Sequence, residues 1–173
     1  KAYRKTISIV NETTIGLYEN LVGKKIGFLL ESYDKNNGRY SIFGKEPDEI
    51  ITSKENSLVI HKKNGEMEVR EGNPYERLKE YYSEFHVEKE DGELAFIGGL
   101  VGSLGYDFIR YTEVLPDSKK DTIGIETIQL MLATEFIVID HVAETLAAVV
   151  LEEDSQEGKK RAMERASNLL EET

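Results

Sequence analysis

The chain has 173 residues, enough to bury one medium-sized core. Its 33 acidic residues outnumber 22 basic ones, and a net charge of −11 without a basic stripe disfavours nucleic acid and anionic membrane as partners. Cysteine is absent, which excludes disulfides and thiol catalysis, and no apolar run approaches the roughly 20 residues of a membrane span. No basic, apolar and small-residue signal pattern opens the chain, so a cytoplasmic location is expected.

Taken in order, Ser8-Ile9-Val10 and its neighbours read as a first strand. Thr14 to Leu21 reads as a short helix, capped by Thr14, with Leu17, Tyr18 and Leu21 facing inward. Phe28 to Ser32 and Arg39 to Gly44 form a hairpin around a polar turn, Asp34 to Gly38. A charged meander with one wet face follows: Glu49 to Thr52, Ser57 to His61 and Glu66 to Arg70, with Asn64-Gly65 as a tight turn. Asn73 caps a helix with Pro74 at its first position and Tyr75, Leu78, Tyr82 and Phe85 at helical spacing.

Lys89 to Gly92 is a polar break, and Phe96 to Asp107 is a glycine-studded apolar strand. After Pro116 comes a charged loop, Asp117 to Asp121. Ile128 to Asp140 and Thr145 to Leu151 are two strands, apolar on both faces, joined through His141 to Glu144. Gln156 to Glu172 is a last helix, buried along Met163, Ala166, Leu169 and Leu170. This order predicts an α+β fold of mostly antiparallel, sandwich-like sheets with a few flanking helices.

Catalytic patterns are missing. Glycines 98, 99, 102 and 105 do not match a dinucleotide fingerprint, and no Walker sequence occurs. They read instead as points of close backbone approach. Gly102-Ser103-Leu104-Gly105 is one residue short of a nucleophile elbow. The three histidines are scattered, and His141 beside Asp140 reads as a turn residue. Asp107 and Arg110, three apart, suit a structural clamp anchored by Tyr106. We therefore expect no catalytic residue and no metal ligand in this chain. The polar end of the Phe28–Gly44 hairpin admits two readings: surface residues ending a strand, or a receiver for a small zwitterion. In the second, Ser32 exchanges hydrogen bonds, Glu31 faces an ammonium and Leu30 covers an apolar side chain.

Four motifs occur together: Leu29-Leu30-Glu31-Ser32, then Gly38-Arg39-Tyr40-Ser41-Ile42-Phe43-Gly44, then the Gly98 to Pro116 run Gly-Gly-x-x-Gly-x-x-x-Tyr-Asp-x-x-Arg-x-x-Glu-x-Leu-Pro, then Asp140-His141. In that order they resemble the N-terminal domain of anthranilate synthase component I, over nearly the whole chain. Ile42-Phe43 reverses the order usual in that family, a volume-conserving change.

The resemblance implies that residues 1–173 are a single regulatory and structural domain of an enzyme that converts chorismate to anthranilate and pyruvate. The chorismate site, Mg²⁺ and the catalytic residues are expected in a C-terminal domain beyond this chain, so the chain itself carries no cofactor and is inactive alone. Expected partners are that catalytic domain, a glutamine amidotransferase subunit that supplies ammonia, and L-tryptophan as feedback inhibitor. The resemblance places the tryptophan site at Leu30, Glu31 and Ser32, with Arg39 and Ser41 on the neighbouring strand. Two other functions stay open: the same domain of aminodeoxychorismate synthase component I, of folate synthesis, and a free-standing amino-acid-binding module.

Overall fold

A computed structural model describes residues 1–9, 12–31, 38–87, 96–116 and 124–173. The chain forms two compact units: Lys1–Pro47, Val87–Gly99 and Ala133–Thr173 make up the first, Asp48–His86 and Leu100–Leu132 the second. Each holds a five-stranded sheet, and the class is α+β with antiparallel pairing, as expected.

The first unit contains β1 (Ala2–Ser8), α1 (Thr14–Leu21), β2 (Gly27–Glu31) and β3 (Tyr40–Lys45). In the second unit lie β4 (Glu49–Lys54), β5 (Ser57–Lys62), β6 (Met67–Glu71), α2 (Pro74–Ser83), β7 (Gly99–Leu104), a 3-10 helix (Tyr106–Tyr111) and β8 (Ile128–Ala133), with the end residues of β7 and β8 on the unit boundary. The chain then returns to the first unit for β9 (Glu135–Asp140), β10 (Thr145–Leu151) and α3 (Gln156–Glu172).

The first sheet has the order β1-β10-β9-β3-β2. β9 and β10 are buried almost throughout, in keeping with runs apolar on both faces. Their inner residues Ile137, Ile139, Leu146, Ala148 and Val150 pack with Phe43, with Leu17 and Leu21 of α1, and with Ala162, Ala166 and Leu169 of α3. Phe43 meets Tyr18 edge-on at 6.0 Å between ring centres. The reversed Ile42-Phe43 order thus puts the aromatic ring on the helix-covered face.

The first strand lies earlier than Ser8–Val10. Ala2 to Ser8 pairs with Leu151 to Thr145 although Arg4 and Lys5 are charged and exposed. Backbone pairing at a sheet edge needs no apolar run, and charge there blocks further pairing. The cap of α1 is Thr13, whose hydroxyl accepts from Gly16 N at 3.1 Å, while Thr14 is the first helical residue and is buried.

The second sheet has the order β6-β5-β4-β8-β7. Ile51, Leu58, Ile60, Ile128, Leu130 and Leu132 form its core with Tyr81 of α2. Asn73 caps α2 as expected, accepting from Tyr75 N at 2.9 Å. The buried aromatic of α2 is Tyr81, 2% exposed, whereas Tyr82 and Phe85 are exposed. Positions 81 and 82 both follow Leu78 at helical spacing. Glu49 decides between them, because its carboxylate accepts the Tyr81 hydroxyl at 2.6 Å. Gly65 adopts φ +88° in the Asn64-Gly65 turn, as its residue type predicts.

Residues 128–140 are not one strand. They divide at Thr134 into β8 of the second sheet and β9 of the first. The polar pair Thr134-Glu135 interrupts the apolar run at that point, but nothing local shows that the two halves pair in different sheets. The glycine run does mark close approach: a Cβ on Gly102 would lie 2.1 Å from the Gln129 carbonyl oxygen. The predicted loop at 117–121, the break at 89–92 and the hairpin turn at 34–37 lie outside the described residues.

Candidate functional site

The polar end of the first sheet is built from β2, β3, the end of β9 and the start of α1. Glu31 on β2 stands opposite Ser41 on β3, and Ser41 stands opposite Ile139 on β9. Facing residues in register share a sheet face, and residues two apart along a strand do so too. Glu31, Ser41 and Ile139 therefore line the face that α1 and α3 cover.

Ser41 is 1% exposed and hydrogen-bonded on two sides. The Thr14 hydroxyl donates to its Oγ over 3.5 Å, and its Oγ lies 2.8 Å from His141 Nε2. The His141 backbone N–H donates to the Arg39 carbonyl at 2.9 Å, extending the β3–β9 ladder by one rung. Among the described residues, no hydrogen bond or ion pair engages the exposed Glu31 carboxylate.

Asp140, next to His141, points to the other face with its strand partner Tyr40. Arg39 reaches it there, with Nε at 3.0 and 3.1 Å from the two carboxylate oxygens and Nη2 at 2.7 Å. The guanidinium also lies 5.0 Å from the centre of the Tyr40 ring. One Asp140 oxygen accepts from the backbone N–H groups of Val142 and Ala143, each at 3.0 Å, closing the turn into β10. The Arg39 fork first, and these N–H groups with it, hold the Asp140 carboxyl well below the usual carboxylate range, at about 2.

Of the residues expected at the site, the structure brings Glu31 and Ser41 together. Leu30, 44% exposed, pairs with Ile42 on the opposite face. Adjacent strand residues alternate in direction, so a consecutive Leu-Glu pair on β2 splits between faces. Arg39 lies at the same strand end with its guanidinium drawn to Asp140. Ser32 falls outside the described residues. Sequence reasoning missed His141 and Thr14. Asp140-His141 was visible as a motif, but nothing local showed that its imidazole reaches a serine 100 residues away.

Other candidates carry less. Arg110 Nε meets Asp107 at 2.8 Å on the surface, the expected clamp, but Tyr106 is almost fully exposed and anchors nothing. His61 bonds Thr52 at 3.2 Å on the outer face of β4 and β5. Among the described residues, no three acidic or histidine side chains gather so as to hold a metal ion. No described helix is long and apolar enough to cross a membrane.

No family model matches the chain. Anthranilate synthase component 1 of Acetivibrio thermocellus is 35% identical over 141 residues, which cover 80% of this chain and 28% of that protein. The protein of the same name from Thermus thermophilus is 31% identical over 166 residues, covering 93% and 34%. A crystal structure of anthranilate synthase component I from Streptococcus pneumoniae matches with a TM-score of 0.61 and 25% identity, over 93% of this chain and 34% of that one. The α+β architecture is thus shared with a solved anthranilate synthase component I. Along most of its length the chain is homologous to proteins named anthranilate synthase component 1, the resemblance its motifs had suggested. It spans about a third of the length of these relatives.

Proposed function

We propose that this chain is the regulatory portion of an anthranilate synthase component I, and that the polar end of its first sheet takes part in sensing L-tryptophan. The longer protein would convert chorismate to anthranilate and pyruvate with ammonia from a glutamine amidotransferase partner, its Mg²⁺ and catalytic groups lying outside this chain. The names of the relatives favour this branch over the folate-branch enzyme.

The observation that carries the sensor reading is the Glu31 carboxylate. It is exposed and without a partner among the described residues, on the same face as a hydrogen-bonded Ser41–His141 pair. An amino acid brings an ammonium, a carboxylate and an apolar side chain. Burying it is favourable only if both charges are met by partners, because an unpaired charge loses its hydration without return. A carboxylate on one strand and hydrogen-bonding groups two strands away can meet both.

The test is calorimetric titration of L-tryptophan into the full-length protein, beside anthranilate formation with and without tryptophan. Glu31→Gln should weaken binding about tenfold or more, since a charge-assisted contact is lost. A wild-type protein that makes anthranilate yet neither binds tryptophan nor is inhibited by it would overturn the sensor reading.

A further inference from the structure

Resting on the tryptophan-sensor reading, we infer that His141 is the group that meets the ligand's carboxylate and that Ser41 is its positioning residue. Ser41 is too buried to be touched from solvent, and its hydroxyl is engaged on both sides. Arg39, the obvious cation, has its Nε and one terminal nitrogen committed to Asp140. His141 is exposed, and its ring has no second hydrogen-bond partner among the described residues.

Ser41 Oγ holds Nε2, so the ring nitrogen open to a ligand is Nδ1; in the tautomer in which Ser41 donates to Nε2, Nδ1 carries the proton and donates to a carboxylate. The imidazole comes from the same face as Glu31, because His141 lies two residues past Ile139, the partner of Ser41, which in turn faces Glu31. Glu31 and His141 sit two strands apart and two residues out of step, so their backbones are separated by roughly 12 Å. Thr14 ties the arrangement to the first turn of α1.

Tryptophan affinity of the full-length protein, measured by calorimetry for single and double variants, tests this. His141→Ala should weaken L-tryptophan about tenfold, and His141→Asn, whose amide N–H falls near the position of Nδ1–H, should restore most of it. Ser41→Ala should cost about threefold, and the double variant should bind no worse than His141→Ala alone, because Ser41 acts through the ring. Tryptamine, which lacks the carboxylate, should bind wild type and His141→Ala equally. If wild type binds L-tryptophan and His141→Ala binds it as well, or if the serine and histidine effects simply add, the assignment of His141 falls and the sensor reading stands. If wild type does not bind L-tryptophan at all, the sensor reading falls and takes this assignment with it.

Discussion

The two units illustrate two uses of polar residues. In the second unit many of the charged groups pair locally: Arg110 with Asp107, Lys79 with Glu76 and Arg77 with Glu80, each three residues apart on a helical turn. Such pairs help their own helix and place nothing else, and exposed ones contribute little. At the polar end of the first sheet the contacts are long-range. Arg39 with Asp140 and Ser41 with His141 are separated by 101 and 100 residues, and Thr14 joins from a helix. Polar groups gathered from α1, β3 and β9 hold a fixed geometry, which is what a binding site needs and a solvated surface does not.

Single apolar positions in the two units also differ in cover. Phe43 of β3 is fully buried in the first core, against Tyr18 of α1, whereas Val69 of β6 is 50% exposed. Phe43→Ala should therefore cost about 3–5 kcal/mol of unfolding free energy and Val69→Ala less than about 1 kcal/mol, read by urea denaturation of the full-length protein. Equal losses would break the contrast.

A smaller effect follows pH. Asp140 titrates at about 2 in the folded state, below its ordinary value of 3.8. A depressed carboxyl contributes stability that is fully present above the ordinary value and is lost as pH falls toward the folded one. Melting temperature should then drop between about pH 4 and pH 2, and Asp140→Asn should flatten that drop.

The smallest expected effect has the opposite sign. Glu55, in the turn from β4 to β5, adopts φ +51°, a left-handed conformation that costs a residue with a bulky side chain. Glu55→Asn should raise stability by about 0.5–1 kcal/mol in the same denaturation assay, because asparagine tolerates that region.

The sequence carried the elements whose signals are local. Asn73 and Pro74 start a helix because a cap and a fixed φ act within one turn, and Asn64-Gly65 turns because Gly65 accepts positive φ while the Asn64 side chain accepts from Glu66 N. The apolar runs of β9 and β10 are central strands because nothing in them tolerates water. The motif order carried the family resemblance. Tertiary structure decided what depends on partners far away in the chain: the strand change at Thr134, the choice of Tyr81 over Tyr82 through Glu49, and the split of Leu30 and Glu31 between two faces. It also decided that a histidine readable only as a turn residue holds a buried serine. Local preference acts through backbone sterics over a few residues, whereas a site made by side chains 100 positions apart exists only once strand register has brought them within hydrogen-bond reach.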